Sequence, residues 1–356
     1  MKPFTCTHCR HPVFFENSAC VHCGLTLGFV PRRRRMVAFA PATSQAWRPV
    51  GRGAGRQVLR PCANRVEHAA CNWMVDDEAA GHRLCPSCRL NDTIPDLSVP
   101  GHLERWIAVE RAKRRLVHGL ASLGLAPQPK RDAGDPAGLA FRVLAPVDGR
   151  PVLTGHAGGV ITLDLMEADD VHREATRVSF GEPWRTLLGH LRHEAAHYLH
   201  HRWIAGQPAL EAPWREAFGD ERDDYAGALQ RYHDEGPAPD WATRCISAYA
   251  SAHPHEDWAE TCAHLMLIVD AVETADAWGL RLASRASPAE PAADALSEGR
   301  IDELLLAHWL PVARFVNAMN RSIGLPDAYP FQLPDAVLHK MRVAARCLRL
   351  HASAAP

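Results

Sequence analysis

The sequence lacks any long uninterrupted apolar run, has almost no net charge and contains one long stretch without an acidic residue. No segment approaches the roughly 18 apolar residues of a membrane span, and the N-terminus has no apolar core of a signal peptide. We therefore expect a cytoplasmic protein without a membrane partner. The formal net charge of −1 over 356 residues gives the whole chain no preference for a polyanionic partner.

The acid-free stretch runs from Asn17 to Val66 and is rich in arginine and glycine. Its arginines are Arg32, Arg33, Arg34, Arg35, Arg48, Arg52, Arg56, Arg60 and Arg65. We interpret residues 31–60 as a solvated Arg/Gly-rich connector. The alternative is a surface for nucleic acid or an acidic protein, because clustered arginine beside a zinc ribbon can bind phosphate.

Cysteine is concentrated at the N-terminus, where eight of the 11 cysteines precede residue 90. Residues 1–30 contain two C-x2-C turns, formed by Cys6, Cys9, Cys20 and Cys23. Two such turns can complete a closed tetrahedral zinc site, so we predict a structural zinc ribbon with four cysteine ligands. A disulfide and a redox C-x-x-C pair are the alternatives, and a reducing compartment disfavours the disulfide.

A second cysteine group lies in residues 61–100, with less regular spacing. Its members are Cys62, Cys71, Cys85 and Cys88, and His68 and His82 are possible substitute ligands. We predict a second structural zinc module with four cysteine ligands here, and buried free thiols are the alternative.

Residues 101–138 are predicted to form an imperfect amphipathic helix, interrupted by Glu110 and Lys113, and a linker. Strand candidates follow at 141–144, 151–154 and 159–165. The last alternates apolar and polar residues, as a half-buried strand does. We expect it either to line a cleft as an edge strand or to be an ordinary strand of a sheet.

The stretch from Gly181 to Ile204 is predicted to be one helix that begins near Pro183. It contains the H-E-x-x-H pattern, in which His193 and His197 lie one helical turn apart. Both rings can bind one zinc ion, and Glu194 can act as general base on water at that zinc. The apolar stripe of this helix comprises Leu188, Leu191, Ala195, Leu199 and Trp203. Because the chain has 21 histidines, an accidental match is the alternative.

A catalytic zinc needs a third protein ligand, and a carboxylate on a second helix is the simplest source. The segment from about Glu256 has helical periodicity, so Glu256 or Glu260 is preferred, and spacing alone does not separate them. The other candidates are Asp223, Asp224, Asp270 and His264. Helices are also predicted at 304–319 and 336–350, after an Ala/Pro/Ser-rich loop near 284–297. His190, His200 and His201 are interpreted as cleft or surface residues.

The H-E-x-x-H helix followed by Glu256-Asp257-Trp258-Ala259-Glu260 resembles the gluzincin arrangement of the lethal factor and Mlc titration factor peptidases. That resemblance implies that Glu256 binds zinc and that Glu260 is a supporting glutamate behind the ligands. Tyr249, seven residues before Glu256, matches the tyrosine that stabilises the developing oxyanion. Asp223 and Asp224 are further candidates to orient the imidazole rings.

More widely, residues 6 to about 275 resemble a bacterial zinc-ribbon metallopeptidase family. The matching stretches include CNWMV, EADDVHRE, GEPWRTLLGHLRHEAAHY, FGDERDDY and SAYASAHPHEDWAET. The resemblance implies an α+β fold, with a mainly helical zincin-like domain and a small sheet over residues 139–352. It also implies a zinc peptidase, so together with the two cysteine groups we expect one catalytic and two structural zinc ions and a peptide or protein substrate.

Two other functions are consistent with the same residues. The protein could be a nucleic-acid- or protein-binding adaptor whose peptidase-like half is inactive. Alternatively, the zinc ribbons could regulate access to the peptidase cleft.

Overall fold

The computed structural model describes residues 3–43, 46–76, 81–147, 150–179, 186–280, 282 and 300–354. The fold is α+β, with small sheets in the N-terminal part and mostly helices in the C-terminal part. Within these residues, no helix is long and apolar enough to cross a membrane.

The first cysteine turns lead into a three-stranded antiparallel sheet. The turns carry β1 (Phe4–Thr5) and β2 (Pro12–Val13), and the sheet contains β3 (Thr26–Val30), β4 (Arg35–Pro41) and β5 (Trp47–Val50). Residues 36–39 of β4 are all buried. The interpretation of 31–60 as a solvated connector is therefore corrected: an apolar run between the arginines is long enough to form a strand with a core.

The second cysteine module shares a sheet with the C-terminal part of the chain. Its elements are β6 (Arg60–Pro61), α1 (Ala63–His68), β7 (Met74–Val75) and β8 (Asn91–Thr93). The last of these strands, β8, pairs in parallel with β9 (Ala140–Leu144). The module is thus bound to the C-terminal part by main-chain hydrogen bonds as well as by side-chain packing.

The shared sheet has the strand order β10-β11-β9-β8, with β10 at Gly155–Ala157 and β11 at Val160–Asp164. Strand β11 pairs in parallel with β9 and antiparallel with β10, so it is internal. The expected edge strand is therefore β10, not the 159–165 candidate. The 151–154 candidate forms no regular strand. The alternation in β11 shows that one face is buried, and it carries no information on the number of neighbouring strands.

Helix α2 (His102–Ser122) packs against the H-E-x-x-H helix. The residues that interrupt its amphipathic pattern, Glu110 and Lys113, are fully buried and form an ion pair at 2.5 Å. Asn91 of β8 donates to Glu110 at 3.0 Å. The interruption is therefore a buried polar junction between α2 and the second cysteine module. Arg114 is also buried and donates to the Ala70 carbonyl.

The remaining helices surround the sheet and the candidate site. They are α3 (Asp170–Ser179), α4 (Leu187–Trp203), α5 (Pro208–Phe218), α6 (Tyr225–Glu235), α7 (Trp241–Arg244), α8 (Pro254–Ala277), α9 (Leu310–Ser322) and α10 (Asp335–Ala354). A π-helical segment, Glu303–Trp309, precedes α9. Both C-terminal helices predicted from periodicity are therefore confirmed. The predicted loop at 284–297 lies outside the described residues.

Helix α4 begins after Thr186, whose hydroxyl accepts from the Gly189 N–H at 2.9 Å. Pro183, the predicted helix start, lies outside the described residues. On the predicted apolar stripe, Leu191, Ala195 and Leu199 are fully buried. Packing of this stripe turns the histidine face of α4 toward a large cavity.

Candidate metal centre and active site

His193 and His197 of α4 and Glu256 of α8 bring three donor atoms together. The two Nε2 atoms are 3.1 Å apart, and Glu256 Oε2 is 3.0 Å from His193 Nε2. Glu256 Oε1 is 3.6 Å from His197 Nε2. Donors about 2.1 Å from a tetrahedral zinc are roughly 3.4 Å from one another, so this donor set fits zinc.

Burial supports the same conclusion for Glu256. Its side chain is 1% exposed, and its Oε2 receives no hydrogen bond among the described residues, because the nearby His193 ring donates through Nδ1 to Glu260 instead. A buried carboxylate oxygen without a partner is costly unless a cation balances it. Zinc at this position would compensate that cost.

Glu260 lies one helical turn after Glu256 and contacts the other nitrogen of His193. The Nδ1–H of His193 donates to Glu260 Oε1 at 2.7 Å. Because a carboxylate accepts, this contact keeps the proton on Nδ1 and leaves Nε2 available for a metal. Burial by itself would raise the pKa of Glu260, but the hydrogen bond from His193 lowers that pKa to about 2.

Glu194 is buried at the wall of the cavity, beside His190. Its Oε1 is 3.5 Å from His190 Nε2, and its Oε2 has no hydrogen-bond partner among the described residues. On the other side of the ring, His190 Nδ1 is 3.4 Å from Glu167. Burial opposes ionisation of Glu194, but His190 lowers its pKa below the usual value. The carboxylate is therefore ionised, as a general base must be.

Two tyrosines line the cavity near the donor atoms. The ring centroid of Tyr249 is 6.0 Å from that of His193, and burial raises the pKa of Tyr249, which keeps its hydroxyl protonated. The hydroxyl of Tyr225 donates to Glu256 Oε1 at 2.8 Å. The role of Tyr225 was missed, although FGDERDDY, which ends in this residue, is one of the stretches that resemble the metallopeptidase family.

The other candidates for a ligand or an orienting acid have different contacts. Asp224 caps α6 by accepting from the Gly227 N–H, and Asp270 pairs with Arg192. The Nδ1 of His264 is 2.9 Å from the Tyr329 hydroxyl. The main-chain carbonyl of Asp223 is 3.3 Å from His253 Nε2. None of the four belongs to a metal-binding group among the described residues.

The remaining histidines of α4 are not part of the donor set. His200 is buried against Trp214, with ring centroids 4.7 Å apart, and burial lowers its pKa to about 3. His201 is exposed, and its ring centroid is 5.7 Å from that of His156. Both residues line the cavity, as the sequence interpretation expected.

The cavity beside the donor atoms has a volume of about 1140 Å³. The whole of β10, residues 155–157, forms part of its wall. Because β10 is the edge of its sheet, one side of its backbone has no partner strand among the described residues. An extended chain can therefore reach both the donor atoms and a free strand edge.

Each predicted group of four cysteines comes together, and all 11 cysteines are free thiols. In the first cluster, Cys9 Sγ lies 3.6 Å from Cys20 Sγ. In the second, Cys71 Sγ lies 3.7 Å from Cys85 Sγ. Thiolates about 2.3 Å from zinc would be roughly 3.8 Å apart, so both clusters fit zinc. His68 and His82 are not members of the second group.

Comparison with known proteins also separates an N-terminal part with the cysteine clusters from a C-terminal part with the His–Glu site. Residues 102–347 match the family described as "Putative zinc-binding metallo-peptidase", and residues 3–99 match a family described as a zinc-ribbon domain. The chain is 42% identical over 342 residues to uncharacterized proteins of Mycobacterium bovis and of two strains of Mycobacterium tuberculosis. Each alignment covers 96% of this chain and 94% of the relative.

The chain therefore belongs to the zinc-binding metallopeptidase family defined by that match, and it carries an N-terminal zinc-ribbon domain. No solved structure matches it.

Proposed function

We propose that the protein is a zinc-dependent peptidase of the gluzincin type. The observation that carries the proposal is that His193, His197 and Glu256 converge at a cavity that Glu194 also lines, with a Glu194 carboxylate oxygen that has no hydrogen-bond partner among the described residues. Three donors leave a fourth position of a tetrahedral ion open toward the cavity, which is typical of a catalytic site rather than a structural one.

Zinc, when bound, supplies a Lewis acid that makes water more acidic and polarises a peptide carbonyl. Glu194 accepts the proton of the attacking water and then passes it to the leaving amine. The protonated hydroxyl of Tyr249 donates to the oxygen on which negative charge develops. Glu260 holds His193 in the tautomer whose Nε2 faces the metal position.

The substrate is a peptide or protein segment in extended conformation. Its backbone pairs with the side of β10 that has no partner strand among the described residues, and the residues of β10 line the same cavity. Eight of the 11 free thiols are grouped in metal-type clusters, which favours a reducing compartment such as the cytoplasm.

The decisive experiment replaces Glu194 by Gln and measures hydrolysis of a denatured protein and of a peptide library. Activity should fall by about 10²- to 10⁴-fold, because the amide cannot accept the proton. Zinc content should be unchanged, because Glu194 is not a ligand. Glu216→Gln, an exposed change on α5, is the matched control. Equal activity of the Glu194→Gln and wild-type proteins would refute the mechanism.

We also propose three zinc ions per chain, one at the His–Glu site and one in each cysteine cluster. Elemental analysis of the purified protein checks this number. A value of two that stays at two in His197→Ala would show that the His–Glu site does not retain zinc.

A second candidate function is nucleic-acid binding by the zinc-ribbon domain. Part of the arginine-rich stretch forms the strands β4 and β5, which contain Arg35 and Arg48. Arg33 and Arg35 donate to carbonyl groups of the glycine-rich loop, at Ala54 and Gly53. Its exposed arginines without a carboxylate partner among the described residues are Arg34, Arg48, Arg52, Arg56 and Arg60.

The test is fluorescence anisotropy with a single-stranded DNA at several salt concentrations. The double variant Arg52→Ala/Arg56→Ala should weaken binding and reduce the magnitude of the slope of log affinity against log salt by about 1.4. Arg222→Ala/Arg321→Ala, which removes two ion-paired arginines far along the chain, is the control. No salt-dependent binding by the wild-type chain would exclude this function.

The third function, control of access to the cleft by the zinc ribbons, stays a prediction.

A further inference from the structure

The segment between α7 and α8 carries Tyr249 toward the candidate site. It contains a short 3-10 turn, Tyr249–Ser251, and continues into the cap of α8. Two serines, Ser247 and Ser251, lie on either side of Tyr249. Their hydroxyl groups have different partners, and that difference identifies a role for one of them.

Ser247 is 8% exposed and lines the cavity. Its hydroxyl donates to Glu260 Oε2 at 2.8 Å. The hydroxyl oxygen accepts the main-chain N–H of Ala250 at 3.2 Å. Ser247 therefore uses its donor on the carboxylate and an acceptor position on the turn that carries Tyr249.

Glu260 completes the connection to the metal position. Its other oxygen, Oε1, accepts from His193 Nδ1 at 2.7 Å. A continuous hydrogen-bonded chain thus runs from His193 through Glu260 and Ser247 to Ala250, the residue after Tyr249. Every link in this chain is within the normal hydrogen-bond range.

We propose that Ser247 is a positioning residue that couples the zinc ligand His193 to the turn bearing Tyr249. With the Ser247 hydroxyl present, Glu260 has both oxygens engaged and holds the imidazole of His193 in one orientation. The same hydroxyl fixes the main chain beside Tyr249, so the ligand and the oxyanion donor keep one relative position. The effect of Ser247 on Tyr249 rests on the proposed peptidase function. The effect of Ser247 on the orientation of His193 concerns zinc binding and does not require peptidase activity.

Ser251 provides the contrast, because its hydroxyl bonds only to main-chain groups among the described residues. It donates to the Ala248 carbonyl at 2.7 Å and accepts from the Ala238 N–H at 3.2 Å. Loss of this hydroxyl disturbs the same turn without removing a hydrogen bond to Glu260. Ser251→Ala is therefore the matched control for Ser247→Ala.

The first experiment measures the affinity of the His–Glu site for zinc by chelator competition in the full chain, with both cysteine clusters loaded. Ser247→Ala should weaken this affinity by about 10-fold, the lower end of the usual effect of a contact that orients a metal ligand. Ser247→Thr, which keeps the hydroxyl, should recover most of the affinity. Ser251→Ala should bind zinc as the wild type does. Equal affinities for Ser247→Ala and wild type, or an equal loss in Ser251→Ala, would overturn the proposal.

A double-mutant cycle separates positioning from general loss of structure. In a Glu260→Ala background, Ser247→Ala should cause no further loss of zinc affinity, because the chain to His193 is already broken. An additional loss of about 10-fold in that background would show that Ser247 acts by another route and would overturn the proposal. Thermal unfolding followed by circular dichroism checks that each variant folds.

The kinetic half uses zinc-saturated protein, so that weaker metal binding does not lower the rate. Ser247→Ala should lower kcat with little change in KM. The misplaced Tyr249 hydroxyl weakens a hydrogen bond that is made to the oxyanion in the transition state and not to the bound substrate. An unchanged kcat in an active enzyme would overturn the coupling to Tyr249. If the wild-type protein hydrolyses nothing, the proposed function fails, whereas the zinc affinities still decide whether Ser247 positions His193.

Discussion

The second cysteine cluster and the His–Glu site offer zinc different donors in different surroundings. Four buried thiols, Cys62, Cys71, Cys85 and Cys88, surround one position with no side open. At the His–Glu site, three donors occupy one side of a position whose other side faces a cavity of about 1140 Å³.

The surroundings of the two sites also differ, because one is packed against other elements and the other borders a cavity. Next to the thiols, the buried pair Glu110–Lys113 and the hydrogen bond from Asn91 connect the module to α2 and to the shared sheet. Beside the His–Glu site, Glu194 and Tyr249 line an open cavity. The comparison teaches that ligand number and surroundings change together: four thiols close a site, whereas three donors leave one position that faces the cavity. What the open side faces decides between structure and catalysis.

The largest expected effect is on folding, from loss of the second cluster. Cys85→Ser should remove one zinc and lower the free energy of unfolding by several kcal/mol, on the order of the folding energy supplied by a structural zinc. His197→Ala should also remove one zinc but leave the unfolding temperature close to that of the wild type. Calorimetry and elemental analysis check both variants, and Cys262→Ser controls for loss of a buried thiol. Similar unfolding temperatures for Cys85→Ser and His197→Ala would remove the distinction between the sites.

The next largest effect concerns catalysis without metal loss. Tyr249→Phe should lower kcat by about 10²- to 10³-fold, because a donor to the developing oxyanion is lost. The three zinc ions should remain bound. Steady-state kinetics with zinc analysis measures both quantities, and Tyr232→Phe, on the same cavity wall, is the control. A drop in zinc content with Tyr249→Phe would assign this hydroxyl to metal binding instead.

A smaller effect is expected on the pH dependence of the free energy of unfolding, through His264 of α8. Burial lowers the pKa of His264 from 6.5 to about 4, so between these values the unfolded chain binds this proton more readily. The contribution of neutral His264 to the free energy of unfolding is therefore fully present above pH 6.5 and is lost as the pH falls toward 4. His264→Gln cannot take up the proton, and it should reduce this loss by about 2 kcal/mol. Denaturant unfolding at about pH 7 and about pH 5 compares the two proteins, and equal pH dependence would contradict the assignment.

The smallest expected effect is on metal affinity at the His–Glu site. Tyr225→Phe removes the hydrogen bond to Glu256 Oε1 and should weaken zinc binding there by about 10-fold. Neither cysteine cluster should change its affinity. Chelator competition measures the three sites, and Tyr198→Phe removes a tyrosine hydrogen bond to the Ala137 carbonyl as the control. A loss of the same size in the control would make the effect non-specific.

Much of the candidate site followed from local spacing. Cysteines separated by two residues in a turn present neighbouring thiols, and histidines four residues apart on a helix share one face. These relations held for Cys6 and Cys9 and for His193 and His197. Expectations failed where a residue has more than one possible neighbour. The many arginines around residues 36–39 led to the prediction of a connector where the chain forms a buried strand. The alternation of Val160–Asp164 did not distinguish an internal strand from an edge strand.

The sequence by itself determined the two groups of four cysteines, the H-E-x-x-H face and the helical character of the C-terminal part. Local geometry is sufficient for these features, because covalent spacing and helical periodicity place the side chains. Spacing left Glu256 and Glu260 open and the family resemblance favoured Glu256, but only the tertiary structure shows Glu256 beside the two histidines. It alone brought Tyr225 to Glu256 and Ser247 to Glu260. These contacts depend on how α6 and the segment before α8 pack against α8, and no periodicity within a single helix specifies that packing.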